Sequence, residues 1–123
     1  MDITGVDFIT IPTQDFERAT RFYGETLGLE PSKKWGDMPA QEFEAGDLTI
    51  AVMQTDAFGA KFAAHSQPVA FKVQDVASSR EELEGKGVEF IMDSIDSGVC
   101  HMAPFKDPDG NVLMLHQRYA PKD

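Results

Sequence analysis

A second cysteine is missing from this 123-residue chain, so Cys100 has no partner within it for a disulfide. That excludes the small secreted modules whose folds are stapled by cystines. A long apolar run is missing too. No stretch approaches the roughly 20 consecutive apolar residues that a bilayer-spanning helix needs. The opening Met-Asp-Ile-Thr-Gly-Val-Asp has neither the basic start nor the apolar segment of a signal peptide. These absences lead us to expect a cytoplasmic protein with no membrane partner. Basic residues are scarce, with 11 Lys and Arg against 21 Asp and Glu, for a formal charge of -10. Affinity for nucleic acid rests on neutralising phosphates, so this balance argues against a nucleic-acid surface. The acid is scattered along the chain. It reads either as a soluble, self-repelling surface or as an acidic cleft for a cationic ligand. Phosphate-loop, HExxH, G-x-S-x-G and CxxC patterns are all absent, and the glycines are too dispersed to cradle phosphate.

What is present is enough for a folded core: 41% of the residues are hydrophobic. The most informative stretch is Ala103 to Gln117. Phe105 precedes Lys106-Asp107-Pro108-Asp109-Gly110-Asn111, and Val112 to Leu115 is continuously apolar. Pro108 suits the first corner of a turn, and Asp109, Gly110 and Asn111 tolerate its tight or left-handed positions. The flanking strands are therefore expected to be antiparallel neighbours.

From the start, Ile3 to Ile11 reads as a strand ended by Pro12. Thr13 or Asp15 is placed to cap a helix carrying Phe16, Ala19, Phe22 or Tyr23, and Leu27, with Gly28 at its end. Leu29 to Pro39 is irregular. Gln41 to Ala45 and Leu48 to Met53 read as strands around a Gly46-Asp47 turn. Gln54 to Gln67 reads as a loop or crossover with room for a helical turn. The pattern then begins again: a strand from Pro68 to Val73, a short helix through Val76, Arg80 and Leu83, and a strand from Val88 to Met92. A polar loop from Asp93 to Gly98 leads to a strand from Val99 to Phe105. Thr13-Gln14-Asp15-Phe16 recurs sixty positions later as Val73-Gln74-Asp75-Val76, and Gly28-Leu29-Glu30 recurs as Gly87-Val88-Glu89. The repeat unit is strand, helix, three strands. One such unit leaves a sheet with a naked apolar face, so two are expected in one domain.

The segment from Phe16 to Leu29, with its Phe22-Tyr23 and Leu27-Gly28-Leu29, and the segments Val69 to Val76 and Phe105 to Asn111, carry a resemblance. Together they resemble the vicinal-oxygen-chelate superfamily, which includes glyoxalase I, bleomycin-resistance proteins and extradiol dioxygenases. The similarity runs from about Asp7 to Arg118. It implies an α+β fold in which two βαβββ modules form a curved mixed sheet around a cavity, with the helices outside. On this chain residues 1–56 would be the first module, 57–67 a linker and 68–123 the second, within a single domain at 1–123. The resemblance also implies a homodimer.

Metal-using members of that superfamily hold a divalent ion on His and Glu from four strands. The matching positions fall on Phe8, on one of Ile50, Ala51 and Val52, on Pro68 and on Met114. None is an imidazole or carboxylate, and thioether sulfur suits hard divalent ions poorly. The expectation is therefore no metal site and no cofactor.

Individual residues stay open at this stage. His116 shares strand parity with Met114 and would face the cavity, as acid, base or ligand donor, or stand as an ordinary half-exposed histidine. Cys100, Met102 and Pro104 should share one face of their strand, and His101, Ala103 and Phe105 the other. Cys100 as a nucleophile would need a base; as a small buried hydrophobe it needs nothing. His101 becomes a catalytic candidate only if that facing is inverted. His65, in the long loop, either reaches a cavity mouth or is simply exposed. Phe8, Trp35, Met38, Phe58 and Phe62 offer an aromatic and thioether wall for a flat ligand, or loop and dimer contacts. Glu42 and Glu44 give either an acidic lining for a cation or a solvated sheet face. Two functions follow. One is a metal-independent protein binding a small organic molecule, cationic or aromatic, through Phe8, Trp35, Met38, Glu42, Glu44, Phe58, Phe62, Met102, Met114 and His116. The other is a glyoxalase- or dioxygenase-like lyase or isomerase with a non-standard metal or acid–base site drawn from His116, His101 and Cys100.

Overall fold

The computed structural model describes residues 1–121. The chain divides into two compact units between Ala63 and Ala64. Each is a four-stranded mixed sheet with one helix, and the fold class is α+β.

In the first unit, β1 (Ile9–Thr13) leads to α1 (Phe16–Arg21), which widens into a π-helical turn over Phe22–Thr26. Then come β2 (Glu30–Lys34), β3 (Ala40–Ala45), β4 (Leu48–Gln54) and a 3-10 turn over Thr55–Phe58. The strand order is β1-β4-β3-β2, with β1 parallel to β4 and the other pairs antiparallel. Asp15 caps α1 by accepting the Arg18 N–H at 3.2 Å, and Gln54 Oε1 accepts the Phe16 N–H at 3.3 Å. Period-two alternation then sorts the sheet's faces. Ile11, Phe43, Ile50 and Val52 are buried on the side of α1, where Tyr23 lies 6.3 Å from Phe43 between ring centroids. Burial of each such side chain contributes about 1.5–3 kcal/mol.

The second unit repeats this plan. β5 (Val69–Lys72), α2 (Val76–Gly85), β6 (Ile95–Asp96), β7 (Cys100–Lys106) and β8 (Val112–Arg118) give the order β5-β8-β7-β6, again with the first pair parallel. Asp75 caps α2 through the Ser78 N–H at 2.9 Å, and Gln117 Oε1 accepts the Val76 N–H at 3.0 Å. Each module thus uses a glutamine near the end of its last strand to satisfy its helix N-terminus. Ala103, Phe105, Leu113 and Leu115 are buried on the face that packs against α2, with Val76 and Leu83 buried on the helix.

The turn between β7 and β8 is as the sequence suggests, with Asp107 and Asn111 buried at its two ends. Asp107 Oδ1 accepts the N–H groups of Asp109 and Asn111, both at 2.9 Å, and Asn111 Nδ2 donates to Asp107 Oδ2 at 2.8 Å. Asn111 Oδ1 accepts the His65 N–H at 2.8 Å, while the Val112 N–H donates to the His65 carbonyl at 3.0 Å. His65 is thereby tied through its backbone to this turn.

Several strand boundaries differ from the sequence reading. β1 begins at Ile9, not Ile3, because its partner β4 starts only two residues before Ile50, the partner of Ile9. Ile3 and Val6 are left exposed. β1 also runs through Pro12 to Thr13, since an edge strand tolerates a residue without an N–H. β2 lies in the stretch read as irregular. Its Glu-Pro-Ser-Lys-Lys is wholly exposed and shows no apolar alternation, and its pairing with β3 shifts register between Pro31 and Lys34. Proline, lysines and a register shift suit an edge that must not recruit another strand. Val88–Met92 forms no strand; only Phe90 bridges Phe105. Arg80 lies 4.5 Å over the Phe90 ring and donates to the Met92 carbonyl at 2.9 Å and to Ser94 Oγ at 3.2 Å, drawing this backbone to a side chain. Pairing resumes at Ile95–Asp96, inside the stretch read as a polar loop.

Candidate functional site

Paired residues across a ladder share a face, so the register assigns the surface of each sheet turned away from its helix. In the first module this far face carries Thr10, Ala40, Glu42, Glu44, Thr49, Ala51 and Met53. At its β2–β3 end an aromatic group assembles. Trp35 follows β2 and packs edge-to-face against Phe8, with centroids 5.5 Å apart, and against Phe58 at 6.0 Å. The indole N–H donates to Glu42 Oε2 at 2.7 Å. Four side chains singled out from the sequence are therefore in one connected cluster, three rings and a carboxylate. Met38 is exposed in the Trp35–Pro39 turn, where Lys34 Nζ donates to its carbonyl. Phe62 joins none of these ring contacts.

Glu44 stands two residues along β3 on the same face. Its carboxylate accepts from Ser32 Oγ and Thr49 Oγ1, both at 2.6 Å. The hydroxyls of Ser32, then Thr49, hold it below the usual carboxylate range, so it is anionic at neutral pH. Sequence reasoning found Glu44 but missed these partners. Thr49 was legible as the residue facing Glu44 across a two-residue turn; Ser32 lay in an unrecognised strand.

In the second module the far face carries Ala70, Lys72, Met102, Pro104, Met114, His116 and Arg118. Met102 pairs with His116, and Pro104 with Met114. The structure thus brings Met102, Met114 and His116 together on one surface. Cys100 shares that parity but is buried, at 5% exposure. His101 lies on the opposite face, in line with Ala103 and Phe105. Its ring stacks on Tyr119 at 4.7 Å, and Nδ1 is 4.0 Å from Asp96 Oδ2, too far for a hydrogen bond. Tyr119 donates its hydroxyl to Asp96 Oδ1 at 2.8 Å. The Gly98 N–H and then the Tyr119 hydroxyl hold Asp96 below the usual carboxylate range, and Asp96 in turn pushes the Tyr119 phenol up. His101 thus stands on an interior strand, packed on an aromatic ring.

Strand register also sorts the faces of the three residues that the resemblance offers for the second metal position. Ala51 pairs with Thr10 and Glu42 on the far face, whereas Ile50 and Val52 are buried under α1. With the far-face residue of the three, the positions that the resemblance offers are Phe8 and Ala51 in one module, Pro68 and Met114 in the other. A phenyl, a methyl, a pyrrolidine and a thioether do not fit a divalent ion that requires oxygen or nitrogen donors. Among the described residues there is no group of three or more His, Cys, Asp and Glu able to hold one. No described helix is long and apolar enough to cross a membrane.

Comparison with known proteins agrees with the fold. The chain is 24% identical over 121 residues to the YraH protein of Bacillus subtilis (strain 168), covering 89% of this chain and 94% of that one. A Bacillus anthracis protein assigned to the glyoxalase family superposes with a TM-score of 0.77 at 25% identity, over 96% of this chain and 98% of that one. The fosfomycin resistance protein FosX of Listeria monocytogenes superposes at 0.76 with 22% identity, over 94% of each chain. Lactoylglutathione lyase of Agrobacterium tumefaciens does so at 0.75 with 16% identity, over 95% and 96%. At 16–22% identity these last two likenesses concern the fold alone. A family model described as Glyoxalase/Bleomycin resistance protein/Dioxygenase superfamily matches residues 5–115. With its duplicated βαβββ plan and that match over nearly its whole length, this chain belongs to the glyoxalase/bleomycin resistance protein/dioxygenase superfamily.

Proposed function

We propose that this protein is a metal-independent binder of a small organic molecule, of the glyoxalase/bleomycin-resistance type, and that its ligand is an aromatic cation. The observation that carries this reading is the Phe8–Trp35–Phe58 ring group joined to Glu42 through the indole N–H. Aromatic faces attract cations through the ring quadrupole, and a carboxylate held beside them adds a fixed charge. Glu44, kept anionic by two hydroxyls, extends the negative surface along β3. The departures at Phe8, Ala51, Pro68 and Met114 favour binding without a metal. We take the active species to be a homodimer, as the family resemblance implies, and its single cysteine suits the cytoplasm. The lyase or isomerase reading gains no specific support from His101, which is stacked on Tyr119, or from the buried Cys100.

Trp35 is the chain's single tryptophan, so its emission reports on this cluster directly. Titration with small aromatic cations, benzyltrimethylammonium the simplest, is expected to quench Trp35 saturably. Glu42→Gln keeps an oxygen for the indole N–H while removing the charge. It should weaken binding by about tenfold, roughly 1.4 kcal/mol. Linear, non-saturating quenching, or an equal affinity in Glu42→Gln, would refute the reading.

A further inference from the structure

The second module's far face has a character opposite to the first's. Lys72 and His116 are direct partners in the β5–β8 ladder, so their side chains leave the sheet side by side. Arg118 lies two residues beyond His116 on the same strand and face, about 7 Å on. The three border a groove of about 760 Å³, completed by Val73, Gln74, Gln117 and Ala120. That volume lies within the usual range for small-ligand sites.

The clustering of basic side chains around this groove matters more than its volume. Acidic residues outnumber basic ones by 21 to 11, so three basic side chains clustered on one face stand out from the overall balance. Three other basic side chains of this module stand near carboxylates, while Lys106 has no such partner among the described residues. Arg80 pairs with Glu84 at 3.5 Å, Lys86 with Glu82 at 3.7 Å, and His101 faces Asp96 at 4.0 Å. Lys72, His116 and Arg118 have no carboxylate partner among the described residues. Set side by side on one face and lining a groove, these three basic side chains have donors available to something outside the chain. Lysine offers three N–H donors and arginine a planar fork that matches a carboxylate or phosphate in two parallel bonds.

We propose that this groove is an oxyanion site, binding the phosphate or carboxylate group of a small molecule through Lys72, His116 and Arg118. Gln74 supplies a neutral amide at the rim. The site is independent of the aromatic–acidic cluster proposed above: it uses other residues, in the other module, for ligand groups of the opposite charge.

The test is a ¹H–¹⁵N NMR titration of the intact protein with inorganic phosphate and, separately, succinate, at constant ionic strength. Saturable shifts confined to Lys72–Gln74 and His116–Ala120 are expected with at least one probe. The stronger of the two identifies which oxyanion the groove prefers. Lys72→Gln/Arg118→Gln changes two exposed side chains and should fold normally, with its other amide resonances in place. It should weaken binding by about tenfold or more, as loss of charge-assisted contacts requires. Failure of both probes to saturate, shifts centred elsewhere, or equal affinity in the double variant would overturn the proposal.

Discussion

Asn111→Ala should be among the most damaging single changes in the second module, although it removes only a few atoms from a turn. Asn111 is fully buried, and Asp107 is 5% exposed. The Asn111 amide donates to Asp107 Oδ2 at 2.8 Å, and its oxygen accepts the His65 N–H at 2.8 Å. Alanine takes away the donor of a buried charged group, worth about 1.5–3 kcal/mol, and strands a partly buried backbone N–H, worth about 1 kcal/mol. The sum is about 3 kcal/mol, a large share of the roughly 5–15 kcal/mol that holds a domain folded. Urea unfolding followed by far-UV circular dichroism measures it. With a slope of about 2 kcal/mol per molar, the midpoint should fall by about 1.5 M. Asn111→Asp separates the two contributions, since it keeps an acceptor for His65 but sets a carboxylate against Asp107. It should be at least as destabilising as alanine at neutral pH. A midpoint within about 0.2 M of wild type for Asn111→Ala would show that the turn is not held by this network.

Three further outcomes follow from local geometry. An added Cβ at Gly24 would stand 3.3 Å from Cε1 of the buried Phe43, so Gly24→Ala should destabilise by about 1 kcal/mol in the same urea assay. Glu44 titrates below the usual glutamate range because of the Ser32 and Thr49 hydroxyls, and Thr49→Val should move its NMR titration midpoint upward. A depressed folded-state value means that this contribution to stability is present above the unfolded value and is lost as pH falls through the folded one; wild type should therefore lose more stability than Thr49→Val on acidification below the ordinary glutamate range. Cys100 is buried, so its thiol should react with a disulfide reagent such as dithionitrobenzoate only as fast as the protein opens, and at the free-thiol rate in denaturant.

The duplicated plan was legible because its signals are local. Asp15 and Asp75 both cap helices, Gly28 and Gly87 both have positive φ near helix ends, and the Asp107–Asn111 turn forms where proline, aspartate and glycine direct it. The segments that escaped are held from outside themselves. β2 has no apolar alternation and exists through its pairing with β3. Val88–Met92 has the composition of a strand, yet Arg80 reaches from α2 to its backbone, and the ladder forms further on. The candidate site divides the same way. Strand parity was enough to place Glu42 with Glu44, and Met114 with His116. No periodicity could reveal that Trp35 reaches Glu42 from an unrecognised hairpin, or that Lys72 stands beside His116, which depends on how distant strands register. The facing of Ile50, Ala51 and Val52 was also a register question, and the ladders put Ala51 with Thr10 and Glu42.

Everything proposed for the first module turns on ligand binding without a metal at the Phe8–Trp35–Phe58–Glu42 cluster. The most direct test is one titration of Trp35 emission with benzyltrimethylammonium, run on chelator-stripped protein and again after adding Ni²⁺, Zn²⁺ or Mn²⁺. The account predicts the same saturable curve in every case, with no more than trace metal retained after desalting. Binding that appears only in metal-loaded protein, together with about one tightly held ion per chain, would contradict it.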